Sequence, residues 1–302
     1  MPLKVDATAA ETFAALVRHI SRGRCILFLG AGVHHPPGKD SRYSYPKNER
    51  PPLGNAFAEH LASRTKFSDR FTNESITNLA RVSQDYETRF ERSGLVTEIR
   101  QAVHTGKRPS PALRALADLN FPVVITTNYD QLFEQALRQA GKNPFVSVYK
   151  KNEVHEEMTD ELPLGEDPKP DRPFLFKIHG DIDKPESIVI TDEDYIQFVL
   201  RMSDKQDYHP VPEVVRYHLR KWPTLFIGYS LRDYNLRLLF KTLRWKLDKA
   251  NFPPAYSVDP YPDPLILDVW YSQRRYVTFL VEDVWAFLPA LYKGVMKKPM
   301  PR

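Results

Sequence analysis

Four short segments of this 302-residue sequence end an apolar run in glycine or polar residues. They are FLGAG (28–32), TTNYD (126–130), KIHGD (177–181) and GYSLRD (228–233). Glycines after a strand let the backbone approach a phosphate and offer it free N–H groups. Histidine can take a proton near neutral pH, and asparagine or aspartate can hold a water or a polar ligand. The four segments therefore predict one catalytic crevice, provided that the fold brings them together.

The candidate catalytic residues are Asn128, Asp130 and His179. Asn128 offers a donor and an acceptor, and Asp130 adds a charged acceptor. His179 would act as a base, with Gly180 leaving room for a ligand beside it. The alternatives are structural: Asn128 can cap the helix that begins near Tyr129, and His179 can be a turn histidine satisfied by its neighbours. Capping and binding are compatible for Asn128, since a helix cap also lies at the carboxyl edge of the sheet.

The candidate ligand-contacting residues flank these catalytic positions. They are Gly30, Ala31, Gly32, Thr127, Gly228, Tyr229 and Ser230. The Gly-Ala-Gly signal is weak by itself, because Pro-Pro-Gly follows at 36–38 where the dinucleotide fingerprint requires a helix. The structural alternatives are a tight turn at 30–32 and a helix cap at Ser230. The recurrence of small or polar residues at four strand ends is stronger evidence than any one motif.

Apolar runs alternate with helical patterns along the chain. The predicted strands are CILFLGAG (25–32), PVVITTNYD (122–130), PFVSVY (144–149), PFLFKI (173–178), SIVIT (187–191), PTLFIGYS (223–230), PAYSVD (254–259) and YVTFLV (276–281). This alternation predicts an α/β fold, a Rossmann-like parallel sheet with helices on both faces. Ligands bind such sheets outside the carboxyl ends of the strands, where the four segments would meet.

The chain is predicted to be a single domain over residues 1–302, with a helical insertion after the first strand. Residues 54–120 show helical patterns without a convincing strand, so we expect them to lie above the carboxyl edge of the sheet. Residues 33–53 are rich in proline and polar residues and predict a long loop, a kind that is often functional. The charged residues 150–172 predict another loop.

Composition restricts the class of protein. No apolar run reaches the length of a membrane span and the start of the sequence lacks a secretory pattern, so a cytoplasmic protein without membrane contact is expected. The single cysteine, Cys25, excludes an internal disulfide and a thiolate zinc cage. His34 and His35 have no partner at a ligand spacing, so no metal site is predicted.

The net charge of +5 favours anionic partners weakly. Residues 232–249 predict an amphipathic helix whose basic stripe could meet phosphates. A solvated outer face is the better interpretation of that stripe, so direct nucleic-acid binding is not expected.

Taken in order, FLGAG, TTNYD, KIHGD and GYSLRD resemble the NAD-binding core of the sirtuin-like superfamily. The resemblance covers residues 24–32 and 122–280, and the helical block 54–120 falls where that family inserts its smaller domain. It implies that Gly30, Ala31 and Gly32 approach the diphosphate of NAD. It also implies that Gly228 and Ser230 contact the adenosine side.

The same resemblance implies that Asn128 and Asp130 lie in the pocket around nicotinamide and its ribose. His179 would be the catalytic base at the ribose. Two features depart from the protein-deacylating sirtuins: the four-cysteine zinc module is impossible here, and the loop HHPPGKDSRYSYPKNER (34–50) replaces the expected phenylalanine-arginine element. The sequence is more similar to the zinc-free bacterial branch that acts in antiphage defence.

Membership of that branch implies a hydrolase that cleaves NAD to nicotinamide and ADP-ribose and depletes the cellular pool. It also implies a homo-oligomer and a second component, such as a ring-forming translocase ATPase or a short argonaute. Two alternatives stay open: an NAD-dependent protein deacylase without a zinc module, and a non-catalytic subunit that senses NAD or ADP-ribose.

Overall fold

The computed structural model describes residues 9–71, 75–150, 162–163, 166–203, 210–229, 231, 253–272 and 277–302. Its strands are β1 (Ile26–Leu29), β2 (Val123–Thr126), β3 (Phe145–Val148), β4 (Phe174–Lys177), β5 (Thr224–Ile227), β6 (Ala255–Val258) and β7 (Val277–Leu280). They form one parallel sheet in the order β3-β4-β2-β1-β5-β6-β7. The Rossmann-like fold class predicted from the sequence is therefore confirmed.

The four strands that carry the glycine and polar segments are neighbours at the centre of this sheet, in the order β4-β2-β1-β5. Leu29 pairs in register with Thr126 and with Ile227. Thr126 pairs in turn with Lys177. The four strands thus end at one level. Strands β2–β4 lie on one side of β1 and strands β5–β7 on the other, so the strand order changes direction at β1. Open α/β folds bind ligands at such a point, outside the carboxyl ends of the strands.

Nine helices surround the sheet in the described part of the chain. They are α1 (Ala9–Ser21), α2 (Gly54–Thr65), α3 (Leu79–Val103), α4 (Pro111–Asp118), α5 (Leu132–Gln139), α6 (Asp192–Ser203), α7 (Glu213–Leu219), α8 (Pro264–Ser272) and α9 (Val284–Met296). None of them, as far as their residues are described, combines the length and apolarity that a membrane span requires.

Alternate strand residues face two helical layers. In β1, Leu27 and Leu29 pack with α1, α4, α5 and α9, whereas Ile26 and Phe28 pack with α6, α7 and α8. Both faces of the central strand are fully buried, which explains its uninterrupted apolar sequence.

Helices α2 and α3 form a separate apolar cluster beyond the end of β4. Their buried residues, Phe57, Leu61 and Ile99 among them, pack against Ile182, Ile188 and Ile190 in the segment that follows that strand. Helix α3 changes direction at Glu91, whose φ is 61° and ψ 171°. Helix α4 packs instead on the face of the sheet.

The strand predicted at 187–191, SIVIT, is wrong. Residues 188–190 pair with no strand, and the amide of Val189 donates to the carbonyl of His179 at 3.0 Å. Val189 packs under the sheet while Ile188 and Ile190 pack against α2 and α3, so the β-branched side chains are buried without a ladder. The predicted helix at 232–249 and Ser230 lie outside the described residues, as do residues 151–161 and 164–165 of the loop predicted at 150–172.

Candidate active site

The turns after β1 and β5 touch each other through their backbones. The amide of Gly32 donates to the carbonyl of Gly228 at 2.7 Å. A Cβ on Gly30 would lie 2.5 Å from that carbonyl oxygen, and one on Gly228 (φ +68°) would lie 2.1 Å from the nitrogen of Val33. Close packing alone therefore requires glycine at these positions, whether or not they also approach a phosphate.

A cleft of about 380 Å³ opens at the carboxyl ends of the central strands. Seven of the residues singled out in the sequence line it: Ala31, Thr127, Asn128, Asp130, His179, Gly228 and Tyr229. Gly30 and Gly32 support its wall from behind through the turn contacts, and Ser230 lies outside the described residues. The other walls come from the loop at 51–52 and from α2, α3 and α6.

His34 is a buried member of this cleft that the sequence reasoning considered only as a metal ligand. Its side chain is 1% exposed, and its Nε2 lies 3.1 Å from Oδ2 of Asp130. Its Nδ1 lies 3.2 Å from the hydroxyl of Tyr45, which donates to the carbonyl of Arg108 at 3.1 Å. Because the hydroxyl of Tyr45 donates its proton to the carbonyl of Arg108, it accepts the hydrogen bond from Nδ1–H of His34.

Asp130 is held as a carboxylate. Burial acts to raise the pKa of Asp130, but the attraction and hydrogen bond of His34, the charge of Lys177 and the amide of Leu132 outweigh it, so the pKa lies below its usual value. An ionised carboxylate only accepts hydrogen bonds, so Nε2 of His34 must donate. His34 and Asp130 therefore form a buried pair in which the imidazole faces the carboxylate at hydrogen-bond distance.

Asn128 stands beside this pair. Its Nδ2 lies 3.4 Å from Nε2 of His34, and its Oδ1 is buried without a hydrogen-bond partner among the described residues. Whichever way the amide is turned, one of its polar atoms remains available to a ligand or water. The alternative capping role is not observed: α5 begins at Leu132, whose amide bonds to Asp130 instead.

His179 follows β4 and presents its ring to the cleft. The ring packs edge-on against Tyr195 and Phe198 of α6, with centroid distances of 5.5 and 5.4 Å. Gly180 has a φ of +92°, and a Cβ there would lie 2.4 Å from the carbonyl of Ser187. The glycine in His-Gly-Asp is therefore needed to turn the chain sharply after the histidine.

Lys177, the last residue of β4, is a fully buried cation that sequence reasoning treated as part of an apolar run. Its Nζ lies 2.6 Å from Oδ2 of Asp181, 2.8 Å from Oε1 of Glu134 and 2.6 Å from the carbonyl of Asp130. Burial acts to lower the pKa of Lys177, but the two carboxylates outweigh it and raise the pKa. The lysine thereby ties the loop after β2 to the loop after β4.

Within the described residues, no three His, Cys, Asp or Glu side chains are grouped as metal ligands. His35 points away from His34, is exposed, and lies 3.2 Å from the carbonyl of Pro36 through Nδ1. The His-His pair is thus divided between a buried contact with Asp130 and the surface. The sequence did contain one signal for a site role of His34: it lies two residues after Gly32, in the turn that follows a predicted strand.

Comparison with known families adds to this geometry. A family model described as "SIR2-like domain" matches residues 122–279, which is more than half of the chain. The chain belongs to this SIR2-like family. The family resemblance inferred from the four segments is therefore confirmed, and the matched region contains the strand ends that carry Asn128, Asp130 and His179.

Three curated relatives illustrate the relationship. The chain is 36% identical over 145 residues to "NAD(+) hydrolase ThsA" of Enterococcus faecium, covering 48% of this chain and 27% of the relative. It is 24% identical over 266 residues to "Defense-associated sirtuin 2" of Bacillus subtilis, covering 87% and 23%. It is 25% identical over 230 residues to "NAD(+) hydrolase ThsA" of Acinetobacter baumannii, covering 76% and 41%. The chain therefore spans less than half the length of each of these relatives.

Proposed function

We propose that this protein hydrolyses NAD to nicotinamide and ADP-ribose and acts in antiphage defence by depleting NAD. The observation that carries the proposal is the convergence of Asn128, Asp130 and His179 in one cleft beside two glycine turns. Its family and the names of its relatives, NAD(+) hydrolases and a defence-associated sirtuin, support the same reaction.

NAD fits the residues of this cleft. Its diphosphate would lie against Ala31 and Gly228, the residues of the two glycine turns that line the cleft with little or no side chain. Its nicotinamide and the attached ribose would lie near Asn128 and Thr127. The unpartnered Oδ1 of Asn128 supports a polar ligand or water at that point.

The reaction breaks the bond between the nicotinamide nitrogen and the anomeric carbon of the ribose. The bonding electron pair leaves with nicotinamide, and positive charge builds on the ribose. The ionised Asp130, which has its charge in place before the reaction, would stabilise that charge electrostatically. Water then adds to the anomeric carbon, and its proton is released to a base.

His179 would be that base, and Asn128 would hold the water or the ribose. Histidine can accept a proton near neutral pH, and its contacts with Tyr195 and Phe198 fix the plane of the ring. His34 would be a positioning residue, because it touches Asp130 and Tyr45 and acts on the substrate through them.

Chromatography of the purified protein incubated with NAD tests this proposal. We expect nicotinamide and ADP-ribose to form without any peptide, and to fall by about 100-fold or more in His179→Ala and Asn128→Ala. His19→Ala, which changes a half-buried histidine of α1 that does not line the cleft, should leave the rate unchanged.

An acetyl-lysine peptide distinguishes the alternatives. Turnover that requires the peptide would replace the hydrolase proposal with an NAD-dependent deacylase. NAD binding without turnover, in the presence and absence of peptide and of a candidate partner, would replace it with a sensing subunit. Unchanged hydrolysis in both site variants would overturn the site assignment.

We also infer that the protein works in the bacterial cytoplasm as a homo-oligomer with a second defence component. The single cysteine, Cys25, is buried, as suits a protein that needs no disulfide. A ring-forming translocase ATPase and a short argonaute are the partner classes that the resemblance favours. Light scattering tests the oligomer, and co-purification from cells that express a candidate partner tests the second component.

A further inference from the structure

A second cavity of about 540 Å³ lies beside the cleft. It is lined mainly by residues of the loop 36–53 and of α2 and α3, and it is open to solvent on one side. Four residues line both spaces: His34, Pro51, Pro52 and Phe57. None of the glycines at 30, 32 and 228 lines the second cavity, so a group held against the glycine turns would not occupy it.

The lining of this cavity is largely apolar, and its charged side chains are mostly cationic. Lys47, Arg50 and Lys107 contribute to it, and Glu98 is the carboxylate among its lining residues. Lys47 and Arg50 form no ion pair with any residue that the structure describes. A cavity walled by one sign of charge concentrates counter-ions, because the protein around it screens the field poorly.

Glu98 does not neutralise these cations. Its Oε2 lies 2.8 Å from Nε2 of His60, and its Oε1 accepts from the hydroxyl of Tyr86 at 3.1 Å. Arg64 lies 3.5 Å from the same Oε1. Although burial acts to raise the pKa of Glu98, these partners lower it, so the carboxylate is charged but already engaged.

Lys107 and Arg50 are partly buried, and no carboxylate of the described residues forms an ion pair with either of them. Nζ of Lys107 donates to the carbonyl of Asn48 at 3.3 Å, and burial lowers the pKa of this lysine. Arg50 is half-buried immediately before the rigid pair Pro51-Pro52. A partly desolvated ammonium group is stabilised by a bound anion, and a guanidinium group can form two parallel hydrogen bonds with a phosphate.

We propose that this second cavity is a binding site for a phosphate-bearing ligand, separate from the position of the NAD diphosphate. Its volume falls in the range of small-molecule sites, about 300–1,000 Å³. The ligand's phosphate contacts Arg50, Lys47 and Lys107. Because His34 lines this cavity and also contacts Asp130, an occupant lies beside the His34–Asp130 pair of the cleft.

Isothermal titration calorimetry with pyrophosphate as the probe, in the absence of NAD, tests this site. The wild type is expected to bind pyrophosphate and not ribose, which is neutral. Lys47→Gln combined with Arg50→Gln should weaken pyrophosphate binding by about 10-fold or more. The matched control is Arg24→Gln combined with Lys169→Gln. It also removes one arginine and one lysine charge, but these residues precede β1 and β4, at the opposite edge of the sheet. It should bind like the wild type.

Three results would overturn the proposal. They are no binding of pyrophosphate to the wild type, equal affinity in the wild type and the cavity variant, and equal losses in the cavity variant and its control. The second result would mean that the probe binds outside this cavity, and the third would indicate a general effect of net charge. Circular dichroism melting of both variants checks that each is folded. Since no turnover is involved, the outcome is independent of whether the cleft hydrolyses NAD.

Discussion

The ionisation of Asp130 depends on its neighbours, which together outweigh the effect of burial on its pKa. A carboxylate removed from water is costly unless a charge or several donors face it. His34 supplies the facing charge, and Tyr45 holds the other side of the imidazole ring. The backbone carbonyl of Arg108 completes the chain, so a loop residue more than sixty positions away orients the histidine.

Replacing His34 should therefore change how the reaction rate depends on pH. His34→Phe removes the charge that lowers the pKa of Asp130, so Asp130 becomes protonated at a higher pH. We expect the acid limb of the kcat profile to move upward in pH and kcat at neutral pH to fall about 10- to 100-fold. Profiles of NAD hydrolysis for wild type and variant measure both effects.

Tyr45→Phe is the matched control for this experiment. It leaves the His34–Asp130 pair in place and removes only the outer hydrogen bond, so the limb should move little. If His34 had a purely structural role, the rate would drop in His34→Phe with no displacement of the limb. A KM that rises as steeply as kcat falls would also argue against a positioning role.

At the scale of secondary-structure elements, the turns after β1 and β5 should be the most sensitive to substitution. Gly228→Ala combines a φ of +68° with a Cβ 2.1 Å from backbone, so we expect a loss of about 3 kcal/mol or more in the free energy of unfolding. Gly106→Ala shares the positive φ (+70°) but has nothing within 4 Å, and should lose only about 1 kcal/mol. Urea denaturation measures both. Similar losses would show that backbone conformation, and not contact between the turns, dominates.

Helix α7 carries a buried histidine that should make stability depend on acid pH. Burial lowers the pKa of His218 to about 4, and its ring stacks on Trp222 with centroids 3.9 Å apart. Because the folded-state pKa of His218 is lowered, the neutral ring contributes its full stabilisation to the fold above the unfolded-state pKa of about 6.5. That contribution is lost as the pH falls toward 4. We expect wild type to lose about 1–2 kcal/mol over this range relative to His218→Phe, since solvent screens part of the effect. Denaturation at several pH values tests this, and parallel curves would contradict it.

Each of the seven described strands lies within a predicted strand, and the four at the centre of the sheet are buried between two helical layers. In β1, β2, β4 and β5 all four residues are buried, so the sequence shows an unbroken apolar run with small or polar residues after it. SIVIT has the same composition, but its side chains are divided between two clusters that only the tertiary structure creates. Local pattern cannot distinguish these two kinds of burial.

At the scale of the whole molecule, α3 is anchored to the edge of the sheet by two arginines. Arg92 reaches Asp194 at 2.9 Å and the carbonyl of Ile188 at 2.6 Å. Arg100 reaches Asp183 at 3.1 Å and the carbonyl of Ile182 at 2.7 Å. These contacts join the helical pair α2–α3 to the segment that follows His179.

Removing both anchors should loosen the helical pair without unfolding the sheet. In Arg92→Ala combined with Arg100→Ala, we expect amide hydrogen exchange in α2 and α3 to be about 10-fold faster, with exchange in β1 and β2 unchanged. Arg89→Ala, which loses only a pair with Asp85 on the same helix, is the control. Faster exchange throughout the molecule would mean that the two parts unfold together.

The candidate site was predictable where it depends on strand ends and unpredictable where it depends on distant pairs. Residues at four strand ends converge because a parallel sheet aligns those ends. His34 and Asp130 lie 96 positions apart, and nothing in either local sequence indicates that they meet. Lys177 was treated as part of an apolar run, and its ion pairs were not predictable because the two carboxylate partners come from α5 and from the loop after β4.

The contact between the two glycine turns has a consequence for engineering this protein. The spacing of the central strand ends is fixed by main-chain atoms, which no side-chain substitution elsewhere can move. Libraries that vary Thr127, Leu79 and Tyr195 would therefore reshape the interior of the cleft, while the distance between the strand ends at its floor stays the same. Such a scaffold can be screened for new leaving groups without redesigning the backbone.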